Sequence, residues 1–273
     1  ALSRFEEPLD LNLVFSGHGK HLDCPTLQLA NHHGLMIAGE AALSNWDAGM
    51  DMYIYGKLGN LIMTKEGINV LMTNLTGKVP PILQRLDYIR FNGEAAGYLH
   101  DLTLTGLFYT GAGMVKTDVM MSIDEQSMSR TYSGSVASAD LDLGKLLNQE
   151  KKFGKVDFNV ELKGFNYKNR YPESYIKGII SSFEYSQYQY ENIMLDGVYK
   201  DGGFNGRLSM DDANGSVQID GNFNVAKTIP DFNLKASVKN LRPHDLHLSD
   251  KYENASISLG LTADFTGKSI DDM

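Results

Sequence analysis

Val217-Gln-Ile219-Asp-Gly221-Asn-Phe223 decides the fold class of this chain. Apolar residues hold the odd positions, Gln218, Asp220 and Asn222 the even ones, and the alternation continues through Asn224 and Val225. A period of two belongs to a strand with one oily face and one wet face, usually in an antiparallel sheet. Gly221 stands in the middle of the oily set. A glycine there weakens a strand unless a bend or a close backbone approach is wanted. The same motif, apolar-x-Gly-x-apolar, recurs along the chain, centred among other places on Gly39, Gly56, Gly93, Gly106, Gly134, Gly178, Gly197, Gly206 and Gly221. Repetition of that kind predicts a sheet that curls strongly along its length.

Other stretches repeat the alternation. Phe232, Leu234, Ala236 and Val238 share one parity, as do Ala255, Ile257, Leu259, Leu261, Ala263 and Phe265, and Val156, Phe158, Val160 and Leu162. Turn signals separate such runs: Thr110-Gly-Ala-Gly113, Tyr171-Pro-Glu173, Asp201-Gly-Gly203 and Asp212-Ala-Asn-Gly215. Roughly a dozen or more strands at about 10–15-residue spacing fit a hairpin-rich all-β chain. Helices are scarce. The stretch 64–75 can hold one on the stripe Ile68, Val70, Leu71 and Leu75, although Gly67 costs it about 1 kcal/mol, and Pro80-Pro81 ends that region. A short second helix is predicted over 142–148 behind an Asp142 N-cap. No low-complexity linker divides the chain; a soft boundary lies near 150, in Glu150-Lys-Lys152.

The totals exclude more than they assign. Hydrophobic residues make up 42% of the 273, too many for a disordered chain. A formal net charge of −9 argues against a nucleic-acid binder and against a polybasic membrane-surface module. No apolar run approaches the roughly 20 residues of a spanning helix, and no signal peptide opens the chain. Lacking an initiator Met and stopping just after Phe265-Thr-Gly-Lys-Ser-Ile-Asp-Asp272, the sequence reads as a single elongated β region, 1–273, cut from a longer polypeptide. The lone Cys24 excludes a disulfide framework and a cysteine-rich zinc site.

Chemistry-bearing residues are thinly scattered. His18, His21, Cys24, His32 and His33 are near in sequence, but the spacing is not that of a metal site, and the adjacent His32 and His33 point to opposite faces on a strand. Asp211-Asp212 and Glu6-Glu7 read as solvated acids rather than a hydrolytic pair. In Phe183-Glu-Tyr-Ser-Gln-Tyr-Gln-Tyr190, Phe183 and Tyr185 share a face, and a regular strand would send Tyr188 and Tyr190 to the other. Cross-strand packing is the expected role of these rings, against a stacking surface for sugars. Asn74, Asn214 and Asn254 begin glycosylation sequons, which arise often by chance. Nothing calls for an enzyme, a metal or a cofactor.

An oily face must be covered by a second sheet, helices or a ligand. Helices are too few here, and pattern alone favours self-packing, as a sandwich or closed barrel, over a lipid-filled groove.

Several segments, taken in order, resemble the TamB-like proteins of the AsmA-like superfamily, especially the Bacteroidetes form. They are Leu86-Asp-Tyr-Ile-Arg-Phe-Asn-Gly-Glu94, Leu102 to Thr110, Gly113 to Val119 and Tyr132 to Val136. Asp140-Leu-Asp-Leu-Gly-Lys-Leu-Leu147 resembles that family's short helical insertion. Ile180 to Tyr185, Asn192 to Gly197, Phe204 to Asp212 and Ala263 to Asp272 complete the set. The likeness spans most of 35–273 and is weaker over the first 30 or so residues. It implies a mainly β fold, a long curled antiparallel sheet shaped as a groove or β-taco with one or two short helices. It implies the periplasmic region of an inner-membrane-anchored envelope protein that moves phospholipids between membranes, or that assists outer-membrane protein assembly with a barrel partner. On that reading Ile219, Phe223, Phe232, Leu234, Val238, Ile257, Leu259 and Leu261 would line a path for phospholipid or fatty acyl chains. Five inward positions of one strand span roughly 26–27 Å, against about 15 Å for one hydrocarbon leaflet.

Overall fold

The computed structural model describes residues 8, 10–124, 126, 127, 129–166, 173–224, 231–251 and 253–266. Fifteen strands dominate: β1 Asp10–His18, β2 His21–Ala30, β3 Leu35–Ser44, β4 Tyr53–Thr64, β5 Tyr88–Tyr98, β6 Asp101–Thr110, β7 Gly113–Asp124 and β8 Ser129–Asp142. They continue as β9 Phe153–Asn166, β10 Glu173–Tyr185, β11 Tyr188–Lys200, β12 Gly203–Asp212, β13 Gly215–Asn224, β14 Asp231–Leu241 and β15 Ile257–Thr266. The helices are α1 Lys65–Thr76, α2 Pro81–Gln84 and α3 Leu143–Leu147. The strands are hydrogen-bonded in sequence order in one antiparallel sheet, with β1 and β15 as its two edges. The sandwich and closed-barrel alternatives therefore fail. Alternation within a strand reports that one face is oily, and it carries no information about what covers that face.

The chain forms two compact units. One comprises 1–123 and 138–149, the other 124–137 and 150–273, so that β8 contributes to both. The expectations at Glu6-Glu7, Tyr171-Pro172, Val225 and the last residues lie outside the described residues, as do the side chains of Leu71, Asn74 and Leu75.

In the first unit a compact apolar cluster forms beside the helices. Ile68 of α1 is 1% exposed and packs with Leu86, Ile89 and Ala112; Met63, Met72, Val79, Leu83, Phe108 and Leu146 close around them. Thr64 caps α1, its side chain accepting from the Gly67 amide, and Gly77 ends it in the left-handed conformation. Gly67 is explained by proximity: a Cβ there would stand 3.2 Å from the His33 carbonyl oxygen and from the Gly34 carbonyl group. Asp142 caps α3 by accepting from the Lys145 amide at 2.8 Å. Pro81, which the sequence presents as a stop, instead occupies the first turn of α2, where its missing N–H costs nothing and its fixed φ suits a helix.

Cross-strand register explains the repeated glycines. Gly93 pairs with Gly106 in β5 and β6. In the second unit Gly197, Gly206 and Gly221 form one row across β11, β12 and β13. A Cβ on Gly221 would stand 2.6 Å from the Leu234 Cα, and one on Gly197 would stand 2.9 Å from the Gly206 Cα. On that face the neighbouring backbones are too close for a side chain, which is the geometry of a sheet bending toward its oily side.

Candidate apolar face

Two faces of the second unit differ in chemistry. On one, register places Glu161, Lys177, Asp196, Arg207, Asp220 and Lys235 in a single row across β9 to β14. The signs alternate without a break. Arg207 donates to Asp220 through Nε at 3.1 Å and through its terminal nitrogen at 2.8 Å, and Lys177 Nζ stands 3.7 Å from Asp196. Each exposed pair contributes little by itself. A one-residue slip of any strand would still break the row and turn oily residues outward, so the ladder favours the register observed.

The opposite face is apolar. Leu195, Leu208, Ile219, Ala236 and Leu261 form one row across β11 to β15. The glycine row, followed by Leu234 and Ala263, lies next to it, and Tyr199, Phe204, Phe223 and Phe232 form the row beyond. On the other side of the Ile219 row, Met210, Val217, Val238 and Leu259 make a fourth. No residue in these four rows carries a charge.

The structure brings all eight residues of the expected lining onto this face. Ile219, Phe223, Phe232, Leu234 and Val238 are half-buried, while Ile257, Leu259 and Leu261 are 37%, 45% and 48% exposed. Such values fall well short of core burial. A packed core brings the same residue types to near zero, as at Ile68 and Leu246. The sequence reading stopped short of Tyr199, Phe204 and Leu208, which the apolar-x-Gly-x-apolar motif already marked by parity.

One end of the face is closed. Between β14 and β15 the chain folds back, and Leu246, with 0% exposure, packs on Tyr190 and Met210. Phe183, Tyr185, Tyr188, Ile193, Val217 and Leu241 surround that core. Tyr190 donates its hydroxyl hydrogen to the Leu246 carbonyl at 2.7 Å. Here the expected split of the aromatic run is overturned: Tyr185 pairs with Tyr188, and Phe183 with Tyr190, so all four rings share a side. Ser186 and Gln187 both adopt positive φ, making a two-residue hairpin that returns the chain on the same face. Burial is the main cause that pushes the Tyr188 hydroxyl up to about 12, helped by its 2.5 Å hydrogen bond to Asp212 and opposed by Asn214. Burial also raises Tyr190.

The remaining candidates are dispersed. His21 lies 2.7 Å from the Ser44 hydroxyl and 3.0 Å from Asp23, whereas His33 meets Glu66 at 2.8 Å. The Cys24 thiol donates to the Thr26 carbonyl. Among the described residues no three His, Cys, Asp or Glu side chains converge as a metal site. Asp212 accepts from Tyr188 and from the Asn214 amide, so it braces a turn. On the charged face, Ile179 and Met194 pair across β10 and β11 and border a depression of about 490 Å³ with Asn159, Asp196 and Arg207. Among the described residues no helix is long and apolar enough to cross a membrane.

Comparison with protein families, curated proteins and solved structures finds no match to this chain.

Proposed function

We propose that this chain is the periplasmic, non-enzymatic part of an inner-membrane-anchored envelope protein, and that its apolar face carries phospholipid acyl chains between membranes. The observation that supports this reading is the uncharged face of β11 to β15, which stays half-exposed although its residues are Leu, Ile, Val and Phe. Each methylene moved from water onto such a surface contributes about 0.8 kcal/mol, and the four rows of the face offer no charged group that would tie binding to one lipid species. The likeness to TamB-like proteins points the same way.

The test is native mass spectrometry of the purified protein, with organic extraction and identification of what leaves it. Stoichiometric phospholipid or fatty acid is the expected result. Leu234→Asp combined with Leu259→Asp should abolish that cargo, and lipid transfer between vesicles, while the circular dichroism of a β protein remains. Full transfer by the double variant would count heavily against the proposal. A second reading rests on edge strand β1, where Leu11, Leu13, Val14 and Phe15 are 54%, 40%, 54% and 64% exposed. Such an edge can template a client strand, as a scaffold for outer-membrane protein assembly with a barrel partner would require. A lipid-free protein that crosslinks to a client along β1 would favour it.

A further inference from the structure

The apolar face of the second unit has two unlike ends, and we infer that they fix the direction in which an acyl chain lies: methyl end toward the core that Leu246 closes, polar head beyond the aromatic row. This rests on the proposed lipid-carrying role of the same face.

At one end the strands run into a closed apolar core. Leu246 is fully buried there, with Tyr190 at 8% and Met210 at 9% exposure. The segment that delivers Leu246 is fastened to the sheet at several points. The Arg242 amide donates to the Asn214 carbonyl at 2.9 Å, the Leu246 amide to the Arg242 carbonyl at 3.1 Å, and Tyr190 to the Leu246 carbonyl. His247 Nδ1 sits 2.8 Å from the Ser186 carbonyl oxygen and its ring meets Tyr188 edge-on. A carboxylate or phosphate pushed into that core would lose its hydration without gaining a partner, which strongly disfavours it there. A terminal methyl group loses nothing there.

The other end is wet. Past Tyr199, which is 37% exposed, β11 ends and the chain turns through the exposed Asp201 and then Gly202; the Lys200–Glu173 pair at this end, 2.8 Å apart, belongs to the opposite, charged face. A head group beyond Tyr199 stays in contact with water. Phe223, on the aromatic row, and Val217, on the row that touches the Leu246 core, are six residues apart on β13, or about 20 Å.

The experiment uses tryptophan quenching by stearic acid carrying a doxyl nitroxide near either its methyl end or its carboxylate. The chain's single tryptophan, Trp46, is removed as Trp46→Phe. Phe223→Trp then reports from the aromatic row and Leu259→Trp from the capped row, both at positions that are not fully buried. The methyl-end label should quench Leu259→Trp more strongly than Phe223→Trp, and the carboxylate-end label should do the reverse. The opposite order, or equal quenching by both labels at both positions, would overturn the orientation while leaving lipid binding intact. Absence of quenching in both correctly folded variants would overturn the lipid-carrying role itself, and the orientation with it.

Discussion

Replacing Gly206 by alanine tests whether the glycine row reflects backbone crowding. In an ordinary strand the change would help, because glycine loses more conformational freedom on folding by roughly 0.5–1 kcal/mol. At Gly206 the new Cβ would meet the Asp196 carbonyl oxygen and the Gly197 Cα, both well inside the 3.0 Å that real Cβ atoms respect. Both obstacles are backbone, so no side chain can swing away. Overpacking of this kind costs about 1–3 kcal/mol. Taking about 2–3 kcal/mol for the clash with backbone, and subtracting the entropy gain, leaves a net loss of about 1–2 kcal/mol. That corresponds to a fall of roughly 2–8 °C in Tm for a domain of this size. Gly56 in β4 is the internal control, since a Cβ there meets nothing within 4 Å. Gly56→Ala should be neutral or stabilising by up to about 1 kcal/mol. Urea titration followed by circular dichroism, with calorimetry for Tm, measures both. Should Gly206→Ala prove as stable as the parent, or Gly56→Ala lose as much as Gly206→Ala, the crowding argument is refuted.

Charge reversal of Arg207 to Glu sets it between Asp196 and Asp220 and should cost about 1 kcal/mol at low salt, shrinking as salt is added; the double exchange Arg207→Asp with Asp220→Arg should recover little, since residue 207 also faces Asp196. Asp142→Ala removes the cap of α3 and should lower stability by about 1 kcal/mol in urea unfolding. Tyr188 gives a pH signature. Its hydroxyl is held protonated up to about 12 in the fold against about 10 when unfolded, so between those values the unfolded chain binds fewer protons. Stability is then complete below about pH 10 and falls as pH rises toward 12. The full effect would be at most about 2–3 kcal/mol, and partial exposure of the ring screens it to roughly half. Tyr188→Phe should flatten that part of the stability curve, and an unchanged slope would contradict the assignment.

Strand identity was written locally in this chain, while the surroundings of the strands were not. The alternation in 217–223, 231–238 and 257–265 needs only the two-residue repeat of an extended backbone, and it located β13, β14 and β15 to within a few residues. The stripe that begins at Ile68 announced α1, and Asp142 gave away α3 because a cap is a contact between residues three apart. The α2 turn was hidden because Pro80-Pro81 carries the same letters whether it stops a helix or starts one. The side taken by Tyr188 and Tyr190 was decided by the positive φ of Ser186 and Gln187, residues with no glycine to announce such a turn. That Gly197, Gly206 and Gly221 stand in one row follows from hairpin registers that bring together residues far apart in sequence.

Parity alone determined which eight residues could share an oily face. Whether that face would meet a second sheet, close on itself or stay open depended on contacts between residues tens of positions apart. The segment carrying Leu246 is the clearest case: nothing in its own sequence says where it folds, and only its fit against Tyr190 and Met210 places it there. Local sequence fixes the backbone repeat because each residue's φ and ψ are set by its neighbours. Coverage is set by which distant surfaces lose the most water together, and that belongs to the tertiary structure.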